Sequence, residues 1–105
     1  MKMPDRVLSM LGLAAKAGKI VSGEFSVEKA VKSNKVYLVV VAEDASDNTR
    51  KMFRDMCHFY HVPLLFYADK DQLGRSIGKK MRASIGVLDQ GFADSIMEKA
   101  GMNRE

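Results

Sequence analysis

Val36-Tyr37-Leu38-Val39-Val40-Val41-Ala42 is an uncharged run in which four of the seven residues are valine. Such a β-branched block predicts a strand buried on both faces, which requires helices on both sides of the sheet that contains it. The neighbouring sequence supplies those helices. Upstream, Val7, Leu8, Leu11, Ala14 and Ala15 repeat at helical spacing between Pro4 and Ala17, with proline suited to the first turn and Gly18 as the stop. A short strand over Ile20 to Ser22 follows. A second helix starts near Gly23, turns Val27, Ala30 and Val31 inward and ends at Ser33-Asn34.

Downstream of the valine block, Asp44, Ser46 or Asp47 can cap a third helix through about Tyr60, with Met52, Phe53, Met56 and Phe59 or Tyr60 inward. Pro63 introduces a strand over Leu64 to Tyr67. Asp69 and Gln72 stand three apart, an aspartate version of the capping box, and open a short helix through Ile77. Ser84 to Leu88 reads as a strand. A last helix covers about Gln90 to Ala100, with Phe92, Ile96 and Met97 inward and Gly101 after it. Helices alternate with strands throughout, so the expected fold is a layered α/β domain spanning residues 1–105.

Composition narrows the functional classes. The 105 residues are 47% hydrophobic and 29% charged, with two prolines and no low-complexity stretch, as expected of one folded domain. The apolar run 36–42 is far short of the roughly 20 residues that cross a bilayer, and Asp5 and Arg6 interrupt any signal-peptide pattern. No membrane association is expected. The single cysteine, Cys57, suits a reducing compartment and a cytoplasmic protein.

The net charge of +4 is unevenly distributed. Residues 1–35 carry seven bases against three acids, residues 36–73 four against six, and residues 74–105 six against four. Arg75, Lys79, Lys80 and Arg82 form a cluster with no acid between Leu73 and Leu88. Two basic segments around an acidic middle give a polarised molecule with one face suited to polyanions.

Sites for catalysis are hard to find. Cys57, His58 and His61 form the only soft-ligand cluster, but on a helix Cys57 points about 100° away from His58, leaving two ligands where zinc needs three or four. A buried cysteine with two surface histidines is the simpler reading. No nucleophile elbow, dinucleotide fingerprint or phosphate loop occurs, so no cofactor is expected.

Two stretches suit RNA better. Ser22-Gly23-Glu24 places a glycine at a strand end and a helix start, where unpaired N–H groups and the helix dipole favour an anion. Glu24 would oppose a phosphate there, yet its carboxylate can accept from base amino groups; an acid in a first turn is also favourable on dipole grounds alone. Gly78-Lys79-Lys80-Met81-Arg82-Ala83-Ser84 places Met81 among cations, a pattern that can grip a backbone while touching a splayed base, or serve simply as a solvated loop.

The same stretches carry a family resemblance. LGLAAKAGKIVSGE at 11–24, VVVAEDAS at 39–46, LGRSIGK at 73–79 and VLDQGFA at 87–93 resemble the bacterial YlxQ-like proteins, relatives of archaeal and eukaryal large-subunit ribosomal proteins that bind kink-turn RNA. The resemblance implies a three-layer α-β-α sandwich around a four-stranded mixed sheet, no enzymatic activity, and RNA binding through the second helix start and the loop before the last strand. Family binders carry Gly-x-Asn-Glu-x-x-Lys at that helix start, reading tandem sheared G·A pairs. Here Gly23 and Lys29 match, while Phe25 replaces the asparagine and Ser26 the glutamate. Phenylalanine offers only a stacking face, and one good base contact is worth roughly 1–3 kcal/mol of discrimination.

On these grounds the expected RNA-binding residues are Lys16, Lys19, Gly23, Glu24, Phe25, Ser26, Lys29, Lys79, Lys80, Met81 and Arg82, with Lys16 and Lys19 as nearby phosphate contacts. The expected ligand is structured RNA, a kink-turn or ribosomal RNA, bound by a monomer working with the ribosome or with transcription or translation factors. A protein-interaction adaptor that keeps the fold but binds RNA weakly is the alternative, motivated by Phe25 and Ser26. An enzyme, or a detached substrate-binding domain similar to those preceding RNA ribose methyltransferases, is a third.

Overall fold

The computed structural model describes residues 5–102. Five helices and four strands alternate along it, as α1 (Arg6–Lys16), β1 (Ile20–Ser22), α2 (Glu24–Lys32), β2 (Leu38–Val41), α3 (Asp47–Tyr60), β3 (Leu64–Phe66), α4 (Lys70–Ser76), β4 (Ser84–Val87) and α5 (Gln90–Lys99). The strands form one mixed sheet in the order β1-β4-β2-β3. β4 runs antiparallel to β1 and β2, whereas β2 and β3 are parallel.

The valine block sits at the centre of this arrangement. Its side chains alternate, so Leu38 and Val40 enter a core with Val7, Leu11, Leu73, Ile85, Ile96 and Met97 from the α1, α4 and α5 side. Val39 and Val41 enter a second core with Val27, Val31, Phe53, Met56 and Cys57 beneath α2 and α3. Both faces are dry because each carries helices, which makes the fold a three-layer α-β-α sandwich. Each buried side chain of this size contributes about 1.5–3 kcal/mol.

Several boundaries differ from the sequence reading. The strand expected over Val36 to Ala42 pairs as β2 only over Leu38–Val41; Tyr37 and Ala42 each add a single N–H bond, to the Val87 and Ala83 carbonyls at 2.9 Å, beyond the paired register. β3 ends at Phe66 and β4 at Val87, each one residue early. Pro4 lies outside the described residues; the cap of α1 is Asp5, whose carboxylate accepts from the Leu8 N–H at 2.9 Å. Of the three candidate caps of α3, Ser46 holds the position, while Asp44 accepts from the Lys70 N–H at 3.0 Å and so ties α4 to the β2 end. The capping box of Asp69 and Gln72 is formed in both directions.

Phe59 is 73% exposed, against one of the two inward alternatives. Seven residues from Phe53 bring Tyr60 back to nearly the same side of α3, whereas Phe59 lies about 100° off that line. In α5 the fully buried residue of the first turn is Ala93, and Phe92 packs on the core edge.

Candidate nucleic-acid interface

β1 leads directly into the site. Its last residue, Ser22, pairs with Ile85, and the Gly23 N–H donates to the Ser84 carbonyl at 3.0 Å. The chain then turns sharply at Gly23, with φ +92° and ψ 148°, and α2 begins. No side chain caps this helix. Its first turn-closing bond runs from the Val27 N–H to the Gly23 carbonyl, so the N–H groups of Glu24, Phe25 and Ser26 come before it. Val27, Ala30 and Val31 face the sheet, which turns Phe25 and Lys29, four apart, toward solvent.

Phe25 is 77% exposed. The ring is therefore a free stacking face and not a core anchor. Phe25, Glu28, Lys29 and Lys32 line a shallow depression along α2. Glu24 is also exposed, and its Oε1 accepts from Thr49 Oγ1 at 3.4 Å, which turns the carboxylate toward the start of α3.

The second stretch is carried by α4. The helix ends at Ser76, and the Gly78 and Lys79 N–H groups fold back onto the Arg75 and Gly74 carbonyls at 3.1 and 2.8 Å. The loop then crosses Gly74 so closely that a β-carbon there would stand 1.5 Å from the Lys80 carbonyl oxygen. Lys79, Lys80 and Met81 are left outward, with Met81 56% exposed. Arg82 is half-buried and acts as a clamp. Its N–H donates to the Lys70 carbonyl at 3.0 Å, its Nη1 to the Met81 carbonyl at 2.9 Å, and its Nε to Ser22 Oγ at 3.1 Å.

That last bond joins the two candidate stretches across 60 residues of sequence. It places Gly23, Glu24, Phe25 and Ser26 at the same end of the sheet as Lys79, Lys80, Met81 and Arg82. Ser22, Thr49 and Lys70 complete the support; the sequence marks Ser22 only as part of the first stretch and gives no sign of Thr49 or Lys70, because their partners are distant in the chain. Lys29, Lys79 and Lys80 make no ion pair among the described residues, whereas Arg75 is held by Asp71 at 2.7 Å.

Lys16, the last residue of α1, lines a groove shared with Gln72, Arg75 and Ser76 of α4, and Lys19 lies farther from the α2 start. Lys19 precedes β1, and its carbonyl accepts from the Leu88 N–H at the opposite end of the same strand, four residues and roughly 13 Å from Gly23. The length of strand β1 separates Lys19 from the helix start.

The described residues offer little for other chemistry. No group of three or more His, Cys, Asp or Glu side chains among them could hold a metal ion, and no helix among them is long and apolar enough to cross a membrane. Cys57 is buried, and desolvation pushes its thiol up to about 11, far from a reactive thiolate at neutral pH. His58 and His61 are exposed.

Comparison with known proteins agrees with this geometry. Residues 5–97 match the Ribosomal protein L7Ae/L30e/S12e/Gadd45 family. The chain belongs to this family. It is 46% identical over 88 residues to the RNA-binding protein YlxQ of Bacillus subtilis (strain 168), covering 84% of this chain and 88% of that protein. The large ribosomal subunit protein eL8 of Picrophilus torridus is 32% identical over 89 residues, or 84% of this chain and 70% of that protein. The solved structure of a protein of unknown function from Bacillus halodurans C superposes with a TM-score of 0.91 at 39% identity, covering 93% of this chain and 99% of that one. Within the L7Ae-type family this chain is thus YlxQ-like, and the three-layer sandwich implied by its motifs is the fold observed.

Proposed function

We propose that this protein is a non-catalytic RNA-binding module of the translation machinery that recognises a kinked helix containing non-Watson–Crick pairs. The observation that carries the reading is the Arg82–Ser22 bond, which unites the open start of α2 with the cationic loop before β4. Gly23 lets the RNA backbone approach, and Glu24 and Ser26 offer polar groups to base edges. Phe25 and Met81 present stacking surfaces, each more than half exposed. Lys29, Lys79, Lys80 and the free part of the Arg82 guanidinium hold phosphates. Membership of the L7Ae-type family and the similarity to a YlxQ RNA-binding protein support RNA as the ligand.

The experiment is a titration against a kink-turn RNA and against a version whose G·A pairs are replaced by Watson–Crick pairs, at two salt concentrations. Tight binding to the first and its loss in the second is expected. With about four cations on phosphates, log K should fall against log salt with a slope near −3 to −4. Equal, weak binding to both RNAs would end the kink-turn reading. Phe25 and Ser26 at the family's asparagine and glutamate positions would then favour a protein-interaction adaptor with generic RNA affinity.

A further inference from the structure

The lysines displaced from the α2 start form a surface of their own. The Leu88 N–H donates to the Lys19 carbonyl at 2.9 Å, and the Tyr37 N–H donates to the Val87 carbonyl at 2.9 Å. Lys19 and Tyr37 therefore flank the end of β4 from its two neighbouring strands, about 10 Å apart by strand spacing. Lys16 closes α1 just before Lys19, and Lys35 stands two residues before Tyr37. All three lysines are exposed, and Tyr37 is 42% exposed.

These lysines are not neutralised. None forms an ion pair among the described residues, although Lys32, Arg50, Lys51 and Arg75 all do. The acids of this end are engaged elsewhere: Asp89 caps α5 by accepting from the Phe92 N–H at 2.9 Å, and Glu28 pairs with Lys32 at 2.7 Å. The helix dipole accounts for Lys16 at the end of α1, but not for Lys19 and Lys35, which lie outside helices.

We propose that this end of the sheet is a second RNA-backbone contact, distinct from the Gly23 end. Lys16, Lys19 and Lys35 grip the phosphates of a duplex arm that continues from the nucleotides held at the start of α2. The proposal rests on the RNA-binding reading above. The geometry suits a duplex, because roughly 13 Å of its axis presents about eight phosphate charges and bridges Gly23 to Lys19 without a bend. Lys29, on the solvent face of α2, lies between the two ends.

The test uses wild type and a K16A/K19A/K35A variant, with a kink-turn RNA whose arms span a full helical turn and the same RNA with its arms trimmed to the kink. Wild type should bind the long-armed RNA more tightly, and the variant should lose only that gain. Three missing phosphate contacts should make the salt slope shallower by about 2.7, so a fourfold rise in salt weakens the variant roughly 40-fold less. A variant that binds the long-armed RNA like wild type overturns the proposal, as does one that weakens equally on both RNAs. Tight wild-type binding to the trimmed RNA with no gain from the arms also sinks it, leaving the main reading intact; no binding to either RNA removes both. A poly-glutamate chain retained by wild type and released by the variant, with RNA affinity unmoved, would make this end a site for acidic protein instead.

Discussion

Gly23 takes a backbone conformation, φ +92° and ψ 148°, that is nearly closed to residues with a side chain. A β-carbon there would meet no atom within 4 Å, so the constraint is in the backbone itself and the space above it is open. Gly23→Ala should therefore cost about 1–3 kcal/mol of stability through strain alone. The new methyl would also stand on the face offered to RNA. A urea titration should show the lower midpoint, and a titration with kink-turn RNA below that midpoint should show weaker binding. Unchanged affinity would place the RNA away from the turn. At this scale the sequence was partly legible. Glycine between a strand and a helix marks the turn, and the identities of Phe25 and Met81 suggest their roles, but whether Phe25 is buried depends on which side of α2 meets the sheet. Lys19 shows the opposite failure. Four residues are close in sequence, yet extended backbone makes them a full strand apart, and only the register against β4 reveals it.

Among the elements, α4 and the loop after it depend on one close approach. The Gly74 position lies 1.5 Å, measured from an ideal β-carbon, from the carbonyl oxygen of Lys80, which is backbone and cannot swing aside. Gly74→Ala should push the 78–82 loop off α4, break the Lys79–Gly74 bond and loosen the Arg82 clamp on Ser22. The expected cost is about 1–3 kcal/mol, as for other overpacked sites. Amide exchange should rise over 78–82 while β2 and β4 stay protected, and RNA affinity should fall. Equal protection across the loop would mean that it accommodates the methyl without moving. Helix and strand order was readable because each element carries its own signal: the valine block for β2, the capping box for α4 and apolar spacing for α1. The clamp was not readable. Ser22 and Arg82 each belong to a stretch the sequence marks, but nothing local joins them, and the bond between them follows from the pairing of β1 with β4.

For the whole molecule, closure relies on contacts between distant segments, and one of them titrates. Tyr67, just beyond β3, donates its hydroxyl to Asp5 Oδ2 at 2.7 Å, while Oδ1 of the same carboxylate caps α1. This bond fastens the first helix to the edge of the sheet opposite β1. The hydrogen bond to Asp5, helped by partial burial, raises the Tyr67 hydroxyl from its ordinary value near 10 to about 12. The sign follows from that direction. The protonated phenol is the bonding form, so its contribution is complete below about 10, where the unfolded phenol titrates, and is lost as pH rises toward about 12. Wild type should accordingly lose stability over this alkaline interval. Cys57, pushed up to about 11 by burial, titrates in the same direction and must be removed from the comparison by measuring both proteins in a Cys57→Ala background. In that background Tyr67→Phe should lower stability at neutral pH by about 0.5–1.5 kcal/mol, the net worth of one such bond. The difference between the two proteins should then shrink as pH rises through the interval, because ionisation removes from the tyrosine protein what the substitution has already removed from the other. Chemical unfolding at a series of pH values measures it; a difference that stays constant to high pH would show that the Tyr67 hydroxyl does not hold α1 to the sheet.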